Sequence, residues 1–503
     1  LRWARRFGGV YWDQAKAVAM GPSGNLYFTG NGYNNADLNG DGDRTDGGAE
    51  TYTGNGERDI FISKFDSLGS FQWAKRLGKA RAISAKSITT DSNDCVYVIG
   101  DVLGAADLNG DGDLTDGGAE NSTGWTSDIF IVKFDPLGSY LWAKRLGGEH
   151  ANDYGNSIIT DSSGGVYVTG EVYFHVDLNG DGDSSDGPAE AGPGYESSDI
   201  FISKFDSSGT FQWANRLGGR SADTANSINT DAADNVYITG RIVGDADLNG
   251  DGLIADNNPE LSTGYGESDV FITKFSSSGV FQWAKRLGGI AYDSGNSISV
   301  DVTGDVFVGG YVYGDVDLNG DGDLNDVRTG GSQNGIFVSK FDSGGAFLWA
   351  KRLAGASGNS NNQGRITTDA SGSVYLTGDV NSSADLNGDG DVTDGSAESG
   401  YGNSDGFISK FDTSGTFQWV RRFGGKLTDQ ANSLVTDAAE NLYLAGVVSG
   451  NVDLNGDGDS TDGGAESKTT LYESSESFLA SFAPAYEIAG FVTVNNSPFP
   501  GVT

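Results

Sequence analysis

The sequence predicts an all-β fold: a seven-bladed β-propeller of four-stranded antiparallel blades, closed by the N-terminal strand completing the last blade. Three observations predict it: one repeat counted seven times, four short β-rich runs in every repeat, and complementary loose ends. The motif DLNGDG begins at Asp37, Asp107, Asp177, Asp247, Asp317, Asp385 and Asp453, at spacings of 70, 70, 70, 70, 68 and 68 residues. Trp3, Trp73, Trp142, Trp213, Trp283, Trp349 and Trp419 open seven versions of W-A-K-R-L-G-G. A period of this length signals a repeat architecture, which overrides the several domains that 503 residues otherwise suggest.

Within a repeat the runs follow in order. Run A is Asn226-Ser-Ile-Asn-Thr-Asp231, run B is Asn235-Val-Tyr-Ile-Thr-Gly240, run C is Asp199-Ile-Phe-Ile-Ser-Lys-Phe205, and run D is of the type F-Q-W-A-K-R-L-G-G. The Asp, Ser and Gly clusters between A and B (Asp231–Asn235) and between C and D (Asp206–Gly209) are hairpin chemistry. Run C is apolar at consecutive positions (Ile200, Phe201, Ile202), as in a strand covered on both faces, which a blade between two others requires. Such blades repeated radially make a propeller. The chain starts with a D run (Leu1–Gly9) that no C run precedes, and its last repeat ends on a C run (Ser477–Phe482) that no D run follows. Pairing the two closes a ring and removes an exposed edge.

Composition agrees: 79 Gly, 20 Tyr, 26 Phe and 9 Trp against one Met and 8 Pro suit short strands and glycine turns. Cys95 is the single cysteine, so no intrachain disulfide forms, and it is expected to be a small buried apolar residue. No run of apolar residues reaches the length of a membrane span. The propeller is expected to occupy 1–484. Residues 485–503 read as the start of a truncated Ig-like or carboxypeptidase-regulatory-like β-domain, and any leader is expected upstream of Leu1.

The W-A-K-R-L-G-G, G-N-V-Y-x-T-G and D-I-F-I-S-K-F-D-x-x-G runs resemble those of the bacterial SBBP-repeat propellers, over about residues 1–482. The resemblance implies a secreted or surface-exposed protein and no shared catalytic activity. The acidic insertion between B and C departs from that pattern. It is similar to the calcium loops of integrin-type FG-GAP propellers and of dockerins.

That insertion is the candidate metal site. Loop position 1 carries Asp37, Asp107, Asp177, Asp247, Asp317, Asp385 and Asp453; position 3 carries Asn39, Asn109, Asn179, Asn249, Asn319, Asn387 and Asn455. Position 5 carries Asp41, Asp111, Asp181, Asp251, Asp321, Asp389 and Asp457, and Gly follows at position 6. Alternate oxygen-bearing side chains before a glycine turn converge on a hard cation, as at the start of an EF-hand loop. Position 7 ligates there through its carbonyl, so the side chain is free to vary: Asp43, Asp113, Asp183, Leu253, Asp323, Asp391 and Asp459. The EF-hand Glu at position 12 is absent. Position 10 (Asp46, Asp116, Asp186, Asp256, Asp326, Asp394, Asp462) is expected to supply the closing carboxylate. Position 14 (Glu50, Glu120, Glu190, Glu260, Glu398, Glu466, with Gly330 in the fifth copy) is expected to support it or ligate occasionally. An all-oxygen set suits Ca²⁺, about seven ions at one per blade, and offers zinc nothing.

Charge follows the loops. They hold 33 acids against Arg44 and Arg328, and so carry −31 of the net −38. The acidity therefore reads mainly as calcium ligand, not as a polyanionic surface, and no nucleic-acid partner or membrane insertion is expected. Extracellular sites of this kind bind at about 10⁻⁴–10⁻³ M, which points to a calcium-rich exterior and hence to a secreted or cell-surface location. Up-and-down blades place all seven loops on one face with the D–A connections, which carry Asp13, Asp153, Asp223, Asp293 and Asp429, read as caps of strand starts or, alternatively, as further ligands.

The seven repeat Trp residues are expected to pack between blades, while Trp12 and Trp125 break the repeat and are candidates for ligand contact. The recurrent Arg (Arg6, Arg76, Arg145, Arg216, Arg286, Arg352, Arg422) is expected to clamp a repeated Asp. His150 and His175 share no repeat position and form no triad; the irregular stretches Lys79–Ile83, Val327–Gly335 and Gly355–Arg365 assemble no acid–base or nucleophile set. The expected function is a non-catalytic structural, adhesive or assembly module of a large extracellular bacterial protein, partnered by other extracellular domains or copies of itself. The alternatives are a glycan-binding propeller and a polysaccharide-active enzyme domain.

Overall fold

The computed structural model describes residues 1–484 outside 10, 46, 52–57, 80, 115–116, 122–124, 149–150, 186–187, 192–196, 255–259, 262–265, 325, 327–333, 356–363, 382, 393–397, 401, 456–458, 461–464 and 467–474, together with 493–494 and 497–498. Seven antiparallel sheets form seven blades, each with the four runs in spatial order A-B-C-D. In the fourth blade the strands are Thr224–Thr230, Val236–Ile242, Asp269–Phe275 and Phe281–Gly289. No helix among the described residues is long and apolar enough to cross a membrane. The expected second domain at 485–503 falls almost wholly outside the described residues.

The ring closes as the loose ends predict. Trp3–Phe7 pairs antiparallel with Ser475–Phe482, Trp3 opposite Ser481 and Phe7 opposite Ser477, and so becomes the outer strand of the seventh blade.

Core packing explains the doubly apolar C runs. Each hydrophobic cluster straddles two blades: Tyr167, Ile200 and Ile202 of the third pack against Ile228, Ile238, Phe271 and Phe275 of the fourth, all buried. Burying one such side chain contributes about 1.5–3 kcal/mol. Away from the acidic loops, Trp and Lys side chains also tie neighbouring blades. Trp213 Nε1 and Lys204 Nζ both donate to Ser277 O in the next blade, at 3.1 and 3.2 Å. Trp3, Trp73, Trp142, Trp283 and Trp349 donate to the equivalent carbonyls of Ser67, Pro136, Ser207, Ser343 and Thr413. The repeat Trp residues thus pack between blades.

Run A lies innermost and carries a bulge. The register of the inner pair slips between Ala15 and Ala17, Ala85 and Ser87, Gly155 and Ser157, Ala225 and Ser227, Gly295 and Ser297, and Ala431 and Ser433. A bulge leaves one residue unpaired and re-aims its side chain; here Lys16, Lys86, Asn156, Asn226 and Asn432 line the axial channel.

Candidate functional site

The acidic loops grow from the seams between blades. Position 1 pairs antiparallel with the end of the preceding blade's outer strand: Gly8 with Asp37, Gly78 with Asp107, and Gly147 with Asp177 as single bridges. In the later blades the pairing lengthens to two residues, Ala246–Asp247 on Gly218–Gly219, Val316–Asp317 on Gly288–Gly289, Ala384–Asp385 on Ala354–Gly355 and Val452–Asp453 on Gly424–Gly425. Every loop therefore begins as an added strand that latches one blade to the next.

The turn that follows repeats in the first six copies. Asp37 Oδ1 accepts the Gly40 N–H and Oδ2 the Gly42 N–H, at 2.6 and 2.7 Å. Asp107, Asp177, Asp247, Asp317 and Asp385 make the same two bonds, at 2.5–2.6 and 2.7–2.8 Å. Position 6 has φ of 86–94° in these copies, which an L-residue rarely adopts, so glycine is required there. Asn Oδ1 at position 3 accepts the N–H of position 5, and Asp Oδ1 at position 5 accepts that of position 7, as in Asn39 to Asp41 to Asp43 at 2.8 Å each. Successive Asx turns thus curl the oxygens of positions 1, 3 and 5 around a single loop, with Asp41 and Asp43 exposed. Burial pushes the carboxyls of Asp37, Asp107, Asp177 and Asp385 above the ordinary range, against the pull of the glycine N–H donors.

The position-14 glutamates are buried beneath the loops. Glu50 Oε1 accepts the N–H of Leu38 and of Asn39 at 3.0 and 3.2 Å. Glu120, Glu190, Glu260, Glu398 and Glu466 accept the corresponding leucine N–H at 2.8–3.1 Å. In the fifth copy, where Gly330 replaces Glu, Asp326 at position 10 takes over: its Oδ2 accepts Leu318 N–H at 2.9 Å and Asn319 N–H at 3.2 Å. The other position-10 aspartates (Asp46, Asp116, Asp186, Asp256, Asp394, Asp462), and Asp457 of the seventh loop, lie outside the described residues. Among the described residues, no group of three or more His, Cys, Asp or Glu is arranged to hold a metal ion.

Around the loops, Arg286 of the outer strand reaches Asp269 at 2.8 Å and donates to Gly244 O and Glu260 O, joining both ends of the insertion to the sheet. The expected clamp recurs as Arg76–Asp59, Arg145–Asp128, Arg216–Asp199 and Arg422–Asp405. In the last blade Arg6 pairs with Glu476. The D–A acids are buried caps: Asp223 accepts Gly219 N–H at 2.6 Å and Val243 N–H at 2.8 Å. Asp13, Asp153, Asp293 and Asp429 repeat the pattern. Burial raises Asp13 to about 6 and the other four to about 7, outweighing those hydrogen bonds.

Trp12 and Trp125 are 67% and 79% exposed, and the Arg81 guanidinium stacks on Trp125 at 4.2 Å. His175 is exposed, and His150 is outside the described residues. Cys95 is only half-buried, because it stands in the A–B turn one residue before its strand, where it packs against the edge of a core cluster. Sequence reasoning passed over the axis. The available signal was Lys16 and Lys86 in the slot that Asn226 occupies elsewhere, and Arg365 in the slot of Ser297.

Residues 141–171 match the family model described as the SBBP β-propeller repeat. The chain is 25% identical over 449 residues, 75% of its length, to an uncharacterized WD repeat-containing protein, L264, of Acanthamoeba polyphaga mimivirus, and covers 31% of that protein. It is 25% identical over 222 residues, 43% of its length, to the regulatory protein FlaEY of Caulobacter vibrioides, and covers 21% of it. The chain thus spans less than a third of the length of these curated relatives. Among solved structures it is similar to the WD40 β-propeller domain of Doa1, at 8% identity, with 95% of this chain and 97% of that one covered and a TM-score of 0.42.

Proposed function

We propose that this chain is a non-catalytic, calcium-stabilised propeller module of a secreted or cell-surface protein, with a structural, adhesive or assembly role. One observation carries the reading: the same oxygen-rich turn is built repeatedly onto the seam between blades, each time begun by an added strand on the neighbour. A cation in such a turn joins two blades, so loading the loops rivets the ring. The position-1 Asp, position-3 Asn and position-5 Asp side chains would hold Ca²⁺, together with the position-7 carbonyl and the position-10 carboxylate. Their chemistry fits, since all are hard oxygen donors. The ion would supply charge neutralisation within loops that hold most of the net −38.

The buried acids near these loops, Asp13, Asp153, Asp223, Asp293 and Asp429, are engaged with backbone donors, which supports a structural over a catalytic use of the face. The expected partners are other extracellular domains or further copies of the chain. Calorimetric melting with and without EGTA tests the calcium role. At about tenfold excess over Kd each site adds about 1.4 kcal/mol, so chelation should lower Tm clearly and added calcium should restore it. An unchanged Tm would remove calcium from the account.

A further inference from the structure

The wall of the axial channel departs from the repeat in blades 1, 2 and 6. In the regular blades a ring of amides ties neighbours together: Asn156 Nδ2 donates to Ala225 O at 3.0 Å, Asn226 Nδ2 to Gly295 O at 2.9 Å, and Asn432 Nδ2 to Ala15 O at 2.6 Å. A ring of hydroxyls accompanies it. Ser157, Ser227, Ser297 and Ser433 accept the N–H of Ile228, Ile298, Ile366 and Val18 at 3.2–3.3 Å. Blades 1 and 2 replace the amide with Lys16 and Lys86, and blade 6 replaces the hydroxyl with Arg365.

All three cations line one cavity on the axis, of about 590 Å³, with Asn156, Asn226, Ser157 and Ser227. Arg365 Nη1 donates to Asn296 O at 2.8 Å, while its buried Nε–H meets no acceptor among the described residues. Arg58, whose Nε donates to Ile83 O at 3.0 Å, adds to the positive field. Asp101 answers them, 3.3 Å from Lys86. Burial and then repulsion from Lys86, Arg58 and Arg365 push the Lys16 ammonium down to about 8. Neutral Asn and Ser suffice for the wall elsewhere, so converging cations here weaken the empty ring. That arrangement is favourable when an anion fills it. It is also unexpected in a chain of net charge −38.

We propose that the axial channel is a binding site for a small oxyanion, a carboxylate or a sulfate-like group, held by Lys16, Lys86 and Arg365. Lysine offers point charges and arginine a planar fork, a combination suited to carboxylate and tetrahedral oxyanions alike. The site is independent of the calcium reading, because its residues come from the inner strands and none from the acidic loops.

Isothermal titration of the calcium-saturated chain with sodium sulfate and, separately, sodium glucuronate tests it. One-to-one saturable binding of at least one probe is expected, weakened tenfold or more in the triple variant K16N/K86N/R365S, which installs residues that other blades carry. Sulfate alone binding assigns an inorganic oxyanion; glucuronate alone assigns a sugar acid. The single variant K16N gives a second readout: without ligand its Tm should rise as repulsion is relieved, while its affinity falls. Failure of both probes to bind saturably, undiminished affinity in the triple variant, or a lowered Tm in ligand-free K16N would overturn the proposal.

Discussion

At the scale of single residues, the buried D–A aspartates make stability depend on pH in an unusual direction. Asp223 has no exposure, and two backbone N–H groups favour its ionised form, yet burial wins and its carboxyl titrates near 7. An unfolded Asp titrates near 4. The folded state therefore holds a proton that the unfolded state has lost between those values, so this contribution is full below about pH 4 and fades as pH rises through about 7. Comparing wild type with Asp223→Asn isolates the effect, because Asn does not ionise. The stability of wild type relative to the variant should fall by about 2 kcal/mol between pH 5 and pH 8, measured by denaturant midpoints at saturating calcium. A difference independent of pH would show that the carboxyl is already ionised at pH 5. The capping role of these acids was legible in the sequence, since Asp before a strand start is turn chemistry. Their protonation was not, because it depends on how completely the neighbouring blades enclose them.

At the scale of the element, the loop divides into a part that spacing reveals and a part that it hides. Positions 1, 3, 5 and 6 act over two to five residues, through Asx turns and a positive-φ glycine, so their geometry can be read from the order of residues. The glutamate at position 14 acts by returning eleven and twelve residues to the loop's opening amides, and local spacing does not display such a return. Nor does it display the exchange in the fifth blade, where Asp326 does the same from position 10. Glu260→Ala should therefore leave the Leu248 N–H buried without an acceptor, at a cost of about 1–3 kcal/mol. Asp326→Ala should cost a similar amount by the same cause. Calorimetry of the calcium-free protein measures both, and indifference to either substitution would show that water satisfies those amides.

At the scale of the molecule, the fold was legible because counting is enough: seven copies of every marker and one displaced strand determine a closed ring. The axis was not legible, because Lys16 and Arg365 become neighbours only through closure, at a separation that no motif spans. Closure itself rests on Trp3–Phe7. Phe7 is buried between Phe28 and Phe65 of the first blade, with ring centroids at 4.5 and 5.4 Å, and shares their cluster with Tyr443 and Leu479 of the seventh. Arg6 adds its ion pair with Glu476 across the strand pair. This is the one blade whose third and outer strands have no covalent turn between them, so the seam holds by packing and hydrogen bonds alone. Removing residues 1–9 should expose the edge of Ser475–Phe482 and uncover the first blade's Phe28 and Phe65. Loss of Phe7 alone costs about 3–5 kcal/mol, and the bare edge invites pairing between chains. The truncated protein should melt at lower temperature and self-associate in size-exclusion chromatography with light scattering. A peptide of residues 1–9 added in trans should restore both properties, because it can re-enter the same register. A truncated chain that stays monomeric and melts like the full one would mean that closure contributes nothing to the ring's stability.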